Sequence, residues 1–212
     1  MSVAIAPESV VLFIGDSITE WGRDYNDPDS LGHGFVAKAA QGFAATNPET
    51  NVTFFNRGIG GNRARDLRER WETDALALNP DVVTLMVGIN DTWRRYDNGE
   101  VTSIASYIND IRTILSQLRA QTSAQLVLIE PFLCPVNPEQ WTWRADLDPR
   151  ITAVRMLAQE FDATLIAADG LLNQAAINAG SDFERFATDG VHLSDEGSDL
   201  LAQAWLSVVS AG

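Results

Sequence analysis

Two histidines, His33 and His192, and a single cysteine, Cys134, limit the side-chain chemistry available to this chain of 212 residues. Neither a His-rich metal centre nor an intrachain disulfide can be built from them. Oxygen nucleophiles and carboxylates remain. Ser17 stands in Gly15-Asp16-Ser17-Ile18, directly after the apolar run Val10-Val11-Leu12-Phe13-Ile14, where its hydroxyl can face a crevice at the end of a buried strand. An unaided hydroxyl is a weak nucleophile and needs a base within hydrogen-bond reach. His192 is the candidate, because Asp189 precedes it in Asp189-Gly190-Val191-His192. A carboxylate at that spacing can accept from the imidazole, fix its tautomer and stabilise the imidazolium formed during attack. His33, set between Gly32 and Gly34 before a helical pattern, is expected to be structural or pocket-lining.

Attack by a serine on a carbonyl develops negative charge on oxygen, which calls for preorganised donors. Two turns offer them. Asn56-Arg57-Gly58-Ile59-Gly60-Gly61-Asn62 is rich in glycine, so a backbone N–H can approach a reacting atom closely, and Gly88-Ile89-Asn90-Asp91 supplies a side-chain amide. Trp21 and Trp93 follow these signatures by a few residues. Their flat indole faces suit sugar rings, core packing being the alternative. Asp16, Trp21 and Trp93 are placed on the substrate side of the site, while Trp71 and Trp205 fit helix stripes and are assigned to the core. Taken singly, Ser17 could be a turn or cap residue, Gly61 a tight-turn glycine and Asn90 an Asx-turn residue. Their arrangement along the chain decides between these readings.

The elements that must position them alternate. Continuous apolar or β-branched runs at Val10–Ile14, Val52–Phe55, Val82–Val87, Leu126–Ile129 and Thr164–Ile166 predict five strands buried on both faces. Helical stripes lie between them: Phe35 to Ala44, Ile104 to Leu118, and Leu200 to Val209. Asp148-Pro149 reads as an N-cap and first helical residue opening a helix through Ile151, Val154, Leu157 and Phe161. The stretch from Pro131 to Asp148, with Trp141 and Trp143, is expected to be a functional loop or lid. Alternating strands and helices require crossovers, hence a mainly parallel sheet with helices on both faces and a site beyond the carboxyl ends of the strands. Ser17, Gly60, Gly61 and Asn90 all follow strand patterns, and Asp189 and His192 precede the last helix. The fold class expected is α/β, a single-domain three-layer α/β/α sandwich spanning 1–212 with a five-stranded sheet.

Composition excludes other classes. With 45% hydrophobic and 21% charged residues the chain is neither disordered nor fibrous. A formal net charge of −14 disfavours phosphate backbones and anionic membrane surfaces, so neither nucleic acid nor membrane is expected as a partner. The amino terminus lacks the basic and apolar regions of a signal peptide, and no run of about 18 apolar residues occurs, which suits a cytoplasmic location. The tryptophan-bearing loop makes a homo-oligomer reasonable.

Gly15-Asp16-Ser17, Gly61, Asn90 and the Asp189 to His192 block resemble, in order, the four signature blocks of the GDSL-type SGNH hydrolases, which have a flavodoxin-like architecture. Flanking segments such as Arg65-Asp66-Leu67 and Trp93-Arg94-Arg95-Tyr96-Asp97 are similar to the branch containing intracellular acetylxylan esterases, although Arg185-Phe186-Ala187-Thr188 departs from it. The resemblance implies Ser17 as nucleophile, Asp189 and His192 as its triad partners, and an oxyanion hole of the Ser17 N–H, Gly61 N–H and Asn90 side chain. It further implies an esterase working without metal or organic cofactor on an acylated carbohydrate. A thioesterase or lysophospholipase taking longer acyl chains, and a non-catalytic binding module of the same fold, are the alternatives.

Overall fold

Successive residues of Val10–Gly15 point to opposite faces: Val11 and Phe13 join one apolar cluster, Leu12 and Ile14 another. That alternation is what a strand covered on both sides requires, and the computed structural model, which describes residues 2–212, arranges the chain accordingly. The order is β1 (Val3–Ile5), β2 (Val10–Gly15), α1 (Ser17–Glu20), α2 (Phe35–Thr46), β3 (Thr53–Gly58), α3 (Ala64–Asp74), a short 3₁₀ turn, β4 (Val82–Met86) and α4 (Ile89–Asp97). There follow α5 (Ile104–Gln121), β5 (Gln125–Ile129), α6 (Pro138–Glu160), β6 (Thr164–Ile166), α7 (Ala168–Asn178), α8 (Asp195–Val208) and β7 (Val209–Ala211).

The main sheet is five-stranded, parallel throughout and ordered β3-β2-β4-β5-β6. The chain leaves β2 to one side for β3 and returns to the other for β4, so the direction of winding reverses at β2 and opens a crevice there. Gly15 at the end of β2 pairs with Gly58 of β3 and Met86 of β4. Hence the segments bearing Ser17, Gly61 and Asn90 emerge side by side. The apolar cluster on one face includes Phe35, Phe43 and Trp205; that on the other includes Leu67, Trp71, Ile114 and Leu115. Trp71 and Trp205 are both buried, as the helical stripes require. A two-stranded parallel ribbon of β1 and β7, too short to register in the sequence pattern, lies apart from the main sheet.

One expectation is corrected. Asp148-Pro149 does not open a helix: α6 begins at Pro138, capped by the Asn137 side chain accepting from the Gln140 N–H, and runs through Pro149. Trp143 and Leu147 extend the buried stripe of Ile151, Val154 and Leu157 backwards at helical spacing, and that burial carries the helix past the proline. Proline in a helix interior removes one backbone bond and crowds the preceding turn. Next to the proline, the buried Arg150 guanidinium donates to the Asp146, Asp91 and Thr102 carbonyls at 3.0, 3.1 and 2.6 Å and so ties α6 to α4 and to the start of α5. Of the stretch expected to be a loop or lid, only residues 131–137 lie outside a helix, 131–135 of them are buried, and Trp143 is a buried residue of α6.

The indole N–H of fully buried Trp205 on α8 donates to Thr84 Oγ1 on β4 at 2.9 Å. Thr84→Val keeps the volume but orphans that donor, so thermal unfolding should show a loss of about 1–3 kcal/mol; an unchanged midpoint would remove the bond from the account.

Candidate active site

Ser17 is the first residue of α1, whose opening N–H groups have no partner along the helix. Asp16 caps that helix, its Oδ1 accepting from the Ile18 N–H at 3.1 Å. The turn is tight because two glycines permit it: a Cβ on Gly15 would lie 2.2 Å from the Met86 carbonyl oxygen, and one on Gly58 2.2 Å from the Glu20 nitrogen. The expectation that Asp16 faces substrate is therefore corrected. Asp16 is only 1% exposed and turned inward to the cap. Burial pushes its carboxyl up to about 7 against the opposing Ile18 N–H bond.

Across the crevice, His192 Nε2 lies 2.9 Å from Ser17 Oγ, and its Nδ1 lies 2.7 Å from Asp189 Oδ2. With Nδ1 protonated toward the carboxylate, Nε2 is left to accept the serine proton. The other carboxylate oxygen, Oδ1, accepts from the Val191 and His192 N–H groups at 2.9 and 2.7 Å. Partial burial opposes ionisation of Asp189, but the imidazole and the two N–H bonds outweigh it and hold the carboxyl at about 2. The same Asp189 bond raises His192 above the ordinary histidine value, with burial working against it.

The loop carrying this pair is clamped from α6. Gln140, buried, donates through Nε2 to the Asp189 carbonyl at 2.6 Å and accepts from the Val136 N–H at 2.9 Å. The Cys134 N–H donates to the Gly190 carbonyl. Gly190 has φ +88°, and a Cβ there would meet Gln140 Oε1 at 2.4 Å, so glycine is required twice over.

Gly61 has φ +78°, a conformation that favours glycine, and a Cβ there would meet nothing within 4 Å. Asn90, 3% exposed, opens α4 and donates through Nδ2 to the Asn62 carbonyl at 3.1 Å, which fixes the amide's orientation and leaves its second hydrogen free. Asp91 beside it accepts from the Ala64 N–H at 3.1 Å, joining α4 to the start of α3, and burial lifts its carboxyl to about 6.

Trp21 stacks on His192 with ring centroids 5.4 Å apart and an interplanar angle of 27°, and is 41% exposed. Trp93 lies 6.0 Å from the same imidazole, backed by buried Trp143. Both tryptophans thus reach the site. His33 is exposed, its ring against Gly22. Trp141 is exposed and paired edge-on with Phe183. Sequence reading missed Gln140 and Arg70, the latter donating to the Gly15 and Arg57 carbonyls and to Asn62 Oδ1. Among the described residues no cluster of His, Cys, Asp or Glu could hold a metal ion, and no helix is long and apolar enough to cross a membrane.

A hydroxyl, an imidazole and a carboxylate bonded in series thus meet in one crevice beside three candidate donors, an arrangement suited to acyl transfer. The electrostatics have a direct check: in an NMR titration the His192 ring should lose its proton above the usual histidine pH. Asp189→Asn, which removes the charge that favours imidazolium, should bring that titration down. An unmoved titration would show that the carboxylate does not govern the ring.

The GDSL-like lipase/acylhydrolase family model matches residues 13–200. An acetylxylan esterase from Geobacillus stearothermophilus is 34% identical, the match covering 92% of this chain and 91% of that protein. Among solved structures, a protein described as a GDSL-like lipase from Parabacteroides merdae superposes with a TM-score of 0.92 at 30% identity, covering 98% of each chain. Axe2, an acetylxylan esterase from Geobacillus stearothermophilus, does so with a TM-score of 0.88 at 32% identity, covering 97% of this chain and 95% of that one. Fold, crevice and these likenesses agree: the chain belongs to the GDSL-like lipase/acylhydrolase family and is a carboxylic ester hydrolase.

Proposed function

We propose that the protein removes acetyl groups from acetylated carbohydrate, with xylo-oligosaccharides as the substrate class, through an acetyl-serine intermediate. The unbroken chain from Ser17 Oγ to His192 to Asp189, at 2.9 and 2.7 Å, carries this reading. Ser17 Oγ attacks the ester carbonyl while its proton passes to His192 Nε2. The oxyanion is held by the Ser17 and Gly61 N–H groups and the Asn90 amide. Collapse breaks the bond to the sugar oxygen, which takes the proton from Nε2 and departs. Water then attacks the acetyl-serine, giving a proton to Nε2; the second collapse releases acetate and returns that proton to Ser17. Asp189 stays ionised throughout, since its carboxyl titrates far below neutrality.

The carbohydrate assignment is supported by Trp21. It is partly exposed and lies against the imidazole that must protonate the departing alcohol, so a sugar ring leaving on that side meets an indole face. The likeness to acetylxylan esterase points the same way.

Ser17→Ala should abolish release from a chromogenic acetate ester and labelling by an organophosphonate; retained turnover would refute the nucleophile. Asn90→Ala should lower kcat about 10²–10³-fold. Activity should rise with pH as His192 loses its proton, because only the neutral ring can accept from Ser17. For substrate class, Trp21→Ala should raise KM for an acetylated xylo-oligosaccharide several-fold while moving that for a small aryl acetate little. Equal effects on both would argue against a sugar on that face.

A further inference from the structure

We infer that Arg70 is a positioning residue for the oxyanion hole, one guanidinium tying together the ends of β2 and β3 and Asn62, the segments that carry or contact the three donors. The inference rests on the oxyanion assignment above. Nη2 donates to the Gly15 carbonyl at 3.0 Å, two residues before Ser17. Nη1 donates at 2.9 Å to the Arg57 carbonyl, where β3 ends and the glycine turn begins. Nε donates at 2.8 Å to the side chain of Asn62, the residue next to Gly61. Asn62 in turn accepts the Asn90 amide on its own carbonyl. The Gly15 carbonyl also accepts from the Ile59 N–H, tying the strand end to the turn independently. Asp74, one helical turn on, pairs with Nη1 at 2.8 Å and orients the guanidinium.

The planar fork is what makes this possible. It presents donors at fixed angles to four separate acceptors, Asp74 among them, which an ammonium on a flexible stem cannot do. α3 has anchors besides Arg70: buried Leu67 and Trp71, and Asp91 on the Ala64 N–H. Arg70 spends its hydrogen bonds on the strand ends beneath the reacting ester, where a displacement of the order of 1 Å costs about 10²-fold in rate.

Arg70→Lys, which keeps the charge, and Asn62→Ala, which cuts the link on a partly exposed loop, test this with a small aryl acetate. Each should lower kcat about 10–100-fold with KM within about twofold. The fraction of sites titrated to completion by an organophosphonate should stay at the wild-type value, and the acidic limb of the pH profile should not move. Affinity for a boronic acid that forms a tetrahedral adduct on Ser17 should fall by the same factor as kcat/KM. Wild-type kcat in both variants, or a loss wholly explained by fewer titratable sites, overturns the inference. If R70K does not fold, N62A alone decides. Asn90→Ala run alongside separates the two levels. If it keeps full activity the oxyanion assignment fails and takes Arg70 with it; if it is impaired while R70K and N62A are not, only the role of Arg70 fails.

Discussion

The hydrogen bond between Ser17 and His192 joins groups 175 residues apart in sequence, and the architecture is what keeps them 2.9 Å apart. Ser17 is fixed by the end of β2, the central crossing point of the winding, and His192 by a loop that α6 and α8 enclose. A parallel sheet delivers several strand ends to one edge, and helices returning behind it bring the last loop back over the first turn. Local propensity could not achieve this; only the burial of both sheet faces fixes the two ends relative to each other. Gln140 and Gly190 then set the loop to within bonding distance.

The site's charges are graded by burial. Asp189, half exposed and supplied with N–H and imidazole donors, stays ionised; Asp16 and Asp91, buried with fewer partners, are pushed up to about 7 and about 6. The carboxylate bonded to His192 is thus the one with enough donors to stay charged. Those that shape the turn and tie α4 to α3 act through a single accepted N–H each.

The centre of the sheet was legible because β2, β4 and β5, buried on both faces, leave unbroken apolar runs, whereas the edge strands β3 and β6 are only partly buried; the candidate site residues were legible because each follows a strand pattern or precedes the last helix. Ser17, Gly61, Asn90, Asp189 and His192 are all brought to the one crevice. Arg70 and Gln140 were not visible, because a polar side chain that turns inward from a helix looks, in sequence, like one facing water. Asp16 was misplaced for a related reason: its position beside Ser17 suggests substrate contact, and only the backbone shows that its carboxylate caps α1. The start of α6 was misread because Asn137-Pro138 and Asp148-Pro149 carry the same capping signal. The deciding factor, the buried faces of Trp143 and Leu147, is tertiary. β1 and β7 span three residues each, below the length at which a period can be read.

The most direct measurement is the covalent state of the enzyme during turnover. With an acetylated xylo-oligosaccharide in excess, acid quenching followed by peptide mass spectrometry should find one acetyl group on the peptide bearing Ser17, located on that hydroxyl, and it should disappear as substrate is exhausted. Turnover with no acetyl on Ser17 at any quench time, or with the label on another side chain, would contradict the account.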